Sequence, residues 1–191
     1  MEPIDTRNAS AAVHAYGGSL QWPLTVGFRR RPRQGCTCGN RNCPDPGGHP
    51  LPGRPLFHSV EETLQELEAA PGAALIAWTR TFDVVVVSRP VGMAAMVTLD
   101  QVAPVPCLVA DRYVALFVLP ATGRYALGGG LPGEVRSGAS GWIAVPPSHG
   151  VRWDTQPWVE QTSRPVGLLN GATVGQHLAS AYTGQELVVG A

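Results

Sequence analysis

Apolar positions along the chain fall into short blocks separated by Gly, Pro and polar residues. Five blocks have strand character: Ala73 to Trp78, Phe82 to Val87, Val105 to Ala110, Tyr113 to Leu119 and Gly141 to Val145. Val84 to Val87 is apolar without a break, which predicts a central strand buried on both faces. The Tyr113 run must end at Pro120, which has no amide to give to a ladder. Upstream, Ser19-Leu20-Gln21-Trp22-Pro23-Leu24 predicts a strand, preceded by a short helix that ends at Tyr16 and is stopped by Gly17-Gly18. Ser59 and Glu62 stand in capping-box spacing, so a helix should run from there to Pro71-Gly72. Its narrow apolar face of Leu64 and Leu67 leaves it on the surface. Met93 to Thr98 predicts a crossing helix and Val174 to Tyr182 a terminal one. Gly128-Gly129-Gly130 and Gly133 mark a flexible connection without a phosphate-loop pattern. The expected architecture is α+β: one domain over residues 1–191, with a central sheet, flanking helices, a Cys-rich insertion at 34–52 and a helix and tail over residues 165–191.

Composition narrows the partners. With 44% hydrophobic residues in 191, a sizeable core can form, yet no run approaches the roughly 20 apolar residues that span a bilayer. Met1 to Tyr16 lacks the order of a secretory signal, so a cytoplasmic protein without a membrane partner is expected. Fourteen basic residues balance fourteen acidic ones, which excludes nucleic-acid binding by bulk charge and leaves only a local patch. Every basic residue is Arg, so lysine chemistry, including a Schiff base, is excluded as well.

The sharpest chemical signal is Cys36-x-Cys38-x4-Cys43-x5-His49. Close Cys spacing lets thiolates turn onto one cation, and Pro44, Pro46, Gly47 and Gly48 shape a return that can bring the imidazole in as a fourth ligand. A Cys3His set leaves no coordination position open, so the expected cofactor is a structural Zn2+. The alternative is a surface loop with free thiols or one disulfide. Cys107 sits alone in a strand-like run and reads as a buried small hydrophobe. Just before the ligands, Phe28-Arg29-Arg30-Arg31-Pro32-Arg33 packs four Arg into five positions, and Arg41 lies inside the knuckle. Seven Arg through Arg54 face Glu2, Asp5 and Asp45. Guanidinium groups beside a rigid metal loop suit phosphate contacts, so Arg29, Arg30, Arg31, Arg33 and Arg41 are the candidate nucleic-acid residues. A solvated basic loop without a partner is the alternative. His14, His58, His149 and His177 have no catalytic context around them. Trp142, Trp153 and Trp158 could stack bases or fill the core.

Three segments carry a resemblance: Trp22-Pro23-Leu24, Pro46-Gly47-Gly48-His49-Pro50 behind the cysteines, and Gly141-Trp142-Ile143-Ala144-Val145 running into Pro146-Pro147-Ser148. Over roughly residues 8–160 the chain resembles the primase-polymerase (Prim-Pol) family of the archaeo-eukaryotic primase superfamily, in particular its small actinobacterial members. The resemblance implies a polymerase-like α+β core that holds two divalent metals and a nucleotide. Its chemistry needs an Asp-x-Asp pair, a phosphate-binding His and a third carboxylate. The matching positions hold Val86 and Ser88, Val114, and Glu134 as a vestigial metal ligand, with Arg136 beside it as a weaker nucleic-acid candidate. One carboxylate cannot support two-metal phosphoryl transfer. The leading expectation is therefore a catalytically degenerate, zinc-bearing protein that binds nucleic acid or a nucleic-acid-associated protein in DNA replication, wider DNA metabolism or gene regulation. The alternatives are an active nucleotidyltransferase using Mg2+ on displaced ligands such as Asp83, Asp111 and Glu134, and a protein-binding scaffold, with a homo-oligomer possible.

Overall fold

The structure, a computed structural model, describes residues 4–31, 33–53, 59–160 and 162–189, with side chains through residue 184. Arg54 and His58 lie outside the described residues, as do Glu2 and Pro32.

Helix α1 (Ala9–Val13) is capped by the Asn8 side chain, which accepts from the Ala11 amide. The predicted stop at Gly17-Gly18 does not occur. The chain continues as a π-helical segment from His14 to Ser19 that passes through both glycines. Gly17 lies close to Val60 and Leu24, so the residue expected to break the helix serves instead for close packing. The strand expected over Ser19 to Leu24 is displaced for a related reason. Gln21 adopts a left-handed φ of 55° and the Trp22 amide bonds back to Tyr16, so pairing begins only at β1 (Leu24–Gly27).

After β1 the arginine run, expected in a loop, forms a short hairpin of β2 (Arg30–Arg31) and β3 (Gly35–Cys36), with Arg30 opposite Cys36. Helix α2 (Val60–Ala69) starts at the anticipated capping box: the Ser59 hydroxyl accepts from the Glu62 amide and Glu62 accepts from the Ser59 amide. Its only buried residue is Thr63, in keeping with a helix on the surface.

The remaining strands build two antiparallel sheets. Strand β4 (Ala74–Trp78) lies between β1 and β9 (Trp142–Val145) in a three-stranded sheet. The larger sheet has the order β10 (Val151–Thr155), β6 (Cys107–Ala110), β7 (Tyr113–Val118), β5 (Asp83–Ser88), β8 (Glu134–Arg136). Strand β5 is interior and buried from Asp83 to Val87, as its unbroken apolar run requires. Strands β8 and β10 were not anticipated.

The period of two along β5 divides its side chains between two cores. Val84 and Val86 join Leu108, Ala115 and Phe117 in a cluster shared with Leu24, Leu75, Ala77, Ile143 and Val145 of the smaller sheet, and with Tyr16, Trp22 and Trp158. Val85 and Val87 face the other way with Cys107, Val109, Val114, Leu116 and Val118. That second face is covered by α3 (Arg89–Leu99) and α4 (Gly171–Val189), which place Val91, Ala95, Met96, Leu99, Val174 and Leu178 on it. Helix α3 starts four residues before the predicted Met93, because Pro90 occupies the first turn, where its missing amide costs nothing. A Cβ at Gly92 would run into Val114, so α3 lies directly on β7 there. The described residues thus combine these two sheets and the β2–β3 hairpin with flanking helices, a mixed α and β fold.

Candidate metal and ligand site

Cys36, Cys38, Cys43 and His49 come together as their spacing predicts, with all four ligand atoms within 4.8 Å of one another. The His49 Nε2 lies 3.4 Å from the Sγ of Cys36 and 3.4 Å from that of Cys43. Local geometry produces this. Gly35, Gly39 and Gly47 take left-handed φ values, the Cys43 amide closes a turn onto Asn40, and the Gly47 amide points at the Cys36 sulfur at 3.4 Å. The imidazole packs against Phe28 with ring centroids 4.6 Å apart. The return segment is fastened to the smaller sheet, since the Phe28 amide bonds to the His49 carbonyl and the Leu51 amide to that of Val26. This group could hold one metal ion, and it is the only cluster of three or more such side chains among the described residues.

The thiols differ. The Asn40 backbone amide is the main influence holding Cys38 below the ordinary thiol value, with help from its two neighbouring cysteines. Burial pushes Cys43 up to about 11, against the pull of the Asp45 amide. All four cysteines of the chain are free of disulfides. Cys107 is fully buried, and burial raises its thiol to about 12, which fits the small hydrophobe expected there.

Cys38, Cys43 and His49 also form one wall of a cavity of about 1250 Å³. Its other walls come from the larger sheet, through Val86, Tyr113, Glu134 and Arg136, and from Trp142 at the start of β9, with His149 and Val151 beyond. In its lining the Arg136 guanidinium donates to both oxygens of Glu134, at 3.0 and 3.2 Å, and to the Trp142 carbonyl at 3.3 Å. Asp45 of the knuckle stands 3.7 Å away, with a buried Oδ2 that has no hydrogen bond. Burial alone would lower the Arg136 pKa, but Glu134, Asp45 and Tyr113 outweigh it and hold the guanidinium above its usual value. Burial, followed by the Asp45 charge, pushes Tyr113 up to about 12.

The expected polymerase positions separate on this frame. Val86 pairs with Glu134 on one side and Ala115 on the other, and Ser88 pairs with Tyr113, so these residues share one face of the sheet. Val114 lies on the opposite face beneath α3, so a side chain there cannot reach the cavity, and the cavity-facing residue of that strand is Tyr113. The displaced-ligand set is not assembled either. Asp83 is buried and accepts from the Gly123 amide at 2.9 Å, Asp111 pairs with Arg30 at 3.6 Å, and Glu134 is held by Arg136.

The arginines do not share one role. The Arg29 guanidinium donates to the Pro71 carbonyl at 2.9 Å, and Arg30 lines the cavity. Arg31, Arg33 and Arg41 are exposed on the hairpin and knuckle. The side chain of Arg136 is only 15% exposed and committed to its acidic partners. Trp142 and His149 line the cavity, whereas Trp158 is in the core and the Trp153 indole donates to the Tyr16 hydroxyl at 2.7 Å. His177 bonds to Thr98 across the two covering helices. Asp45 and Tyr113 were not singled out from the sequence, although Asp45 sits two residues after a ligand and its proximity to the site could have been read there.

No family model matches the chain, and neither the curated proteins nor the solved structures contain a match. Among the described residues, no helix is long and apolar enough to cross a membrane.

Proposed function

We propose that this is a zinc-knuckle binding domain that grips the phosphate backbone of nucleic acid from the rim of its cavity and does not carry out nucleotidyl transfer. The observation that carries this reading is the arginine hairpin. It is tied through Cys36 to the Cys3His cluster, so exposed Arg31, Arg33 and Arg41 stand on a stiffened platform beside a cavity that Arg30 and Arg112 also line.

Zinc suits the cluster. A tetrahedral ion with its usual Cys and His bond lengths needs a sulfur-to-nitrogen edge of about 3.5 Å, and two of the three such edges here, from His49 to Cys36 and to Cys43, are 3.4 Å. Four protein ligands leave no position for substrate, so the metal stabilises the loop and performs no chemistry. The Prim-Pol resemblance supplies the wider context of DNA metabolism. The non-catalytic reading is supported by Val86 and Ser88 at the positions of the carboxylate pair, and by acids at Asp83, Asp111 and Glu134 that each already have a partner.

The test is binding of single-stranded DNA and RNA across a salt series, comparing wild type with an Arg31→Ser, Arg33→Ser, Arg41→Ser variant. Wild-type affinity should fall steeply with salt and the variant should lose most of it. Equal binding by both proteins would refute the arginine platform, and no binding by either at low salt would favour a protein partner. Template-dependent product in a primer-synthesis assay with Mg2+ or Mn2+ would refute the non-catalytic half.

A further inference from the structure

Two ion pairs join the knuckle to the larger sheet, and they run in opposite senses. Arg30 of the knuckle hairpin meets Asp111 in the turn between β6 and β7 at 3.6 Å, and Asp45 of the knuckle meets Arg136 of β8 at 3.7 Å. Both knuckle members are placed by the metal ligands. Arg30 is the cross-strand partner of Cys36, and Asp45 follows Cys43 by two residues. The fit between them is close. A Cβ on Gly47 would lie 2.8 Å from both the Cβ and the amide nitrogen of Arg30, and one on Gly48 would run into the Asp45 carboxylate. Arg30 and Asp45 therefore hold their positions only while the ligand loop keeps its fold.

We infer that metal occupancy of the knuckle controls the cavity: the bound ion holds a two-point ionic clasp closed over it, and loss of the ion releases Asp45 from Arg136 and Arg30 from Asp111 together. The inference rests on the metal reading above. Without the ion, three thiols and an imidazole lose the charge that holds them together, and a loop rich in Gly and Pro has little apolar packing of its own to keep its shape. Three of the four ligands line the cavity, so its wall moves with them. The sheet behind it remains, because its two cores involve other residues. Opening uncovers the side of Arg136 that Asp45 occupies, while Glu134 keeps the other side, and frees Arg30 from Asp111, so a phosphate group can take the place of Asp45. Zinc release, by a chelator or by a two-electron oxidant that joins two of the thiolates as a disulfide, thus becomes a switch on ligand access.

The experiment is amide hydrogen exchange, read by peptide, on the full chain with its metal and after chelation under reducing conditions, together with the metal content of each sample. On metal removal, residues 35–50 should exchange faster, and so should the clasp partners in 111–113 and 134–142, by about tenfold or more. The interior of β5 and the end of β7 should be unchanged. Asp45→Asn should keep one metal per chain yet speed exchange in 134–142, separating the clasp from the metal. Faster exchange confined to 35–50, or an Asp45→Asn protein identical to wild type, overturns the clasp and leaves the metal reading standing. A purified protein without stoichiometric metal overturns the metal reading, and the inference falls with it.

Discussion

Ser148 closes the segment through which the chain leaves β9, and its hydroxyl is a point where stability can be tested cleanly. The side chain is 4% exposed; its Oγ accepts from the Leu75 amide at 2.8 Å and donates to the Leu75 carbonyl at 3.0 Å. One hydroxyl thus bonds both polar groups of a fully buried residue in the middle strand of the smaller sheet, in addition to the ladder pairing of Leu75 with Val145. Ser148→Ala removes it without adding bulk and takes from Leu75 two hydrogen bonds that water cannot replace, leaving only its pairing with Val145. A hydrogen bond of this kind contributes a net of roughly 0.5–1.5 kcal/mol, so the loss of two should destabilise the protein by about 1–3 kcal/mol. The measurement is urea unfolding followed by tryptophan fluorescence. The midpoint should fall while the slope with denaturant stays constant, because the surface exposed on unfolding hardly changes. Metal content should be unaffected, since Ser148 touches no ligand. A loss below about 0.5 kcal/mol, the range of ordinary surface substitutions, would show that the hydroxyl adds nothing to the pairing of Leu75 and would refute the reasoning.

Three further outcomes follow from the same geometry. Gly27→Ala would place a Cβ 2.5 Å from the His49 carbonyl oxygen and 2.9 Å from Ile76; overpacking should cost about 1–3 kcal/mol in urea unfolding, and competition with a chromogenic chelator should show weaker metal retention. Ser59→Ala removes one half of the capping box and should cost about 1 kcal/mol in thermal or urea unfolding, leaving nucleic-acid binding unchanged. The pH dependence has a definite sign: Cys107 and Tyr113 are both raised to about 12 in the folded chain, from 9.0 and 10.0. The unfolded chain therefore releases these protons first, and stability that is fully present below pH 9 should be lost as pH rises toward 12, seen as falling urea midpoints. A midpoint that holds steady or rises over that interval contradicts both burials.

The parts of the protein readable in advance were those where one local pattern left one outcome. An uninterrupted Val84 to Val87 has no polar face to turn to solvent, and it became the buried interior strand β5. Ser59 and Glu62 became a reciprocal cap because both partners lie within one helical turn. The misreadings came where a local preference was overruled by packing. Glycines at 17 and 18 were read as a helix end, yet the close approach of Val60 and Leu24 makes a small residue useful inside the helical segment. Strand β8 is only Glu134 to Arg136, with no periodicity to detect, and it exists because β5 offers an open edge. Strand β10, Val151 to Thr155, does alternate, so its strand character is legible in the sequence.

The same division applies to the site. Sequence alone picked out the four side chains that could hold a metal ion, because Cys36 through His49 fall within fourteen residues and the turns that gather them are written in the intervening Gly and Pro. It also determined that any basic surface would be local, since the chain carries no net charge. Only the tertiary structure decided what that cluster faces. Asp45, Asp111, Tyr113 and Arg136 come together because β5 pairs with both β7 and β8 in one register, an arrangement set by two hydrophobic cores on opposite faces of the sheet. A shift of one residue would exchange those faces and turn Tyr113 and Arg136 away from the knuckle. Local spacing carries no information about that register, because it depends on contacts between residues far apart in the chain.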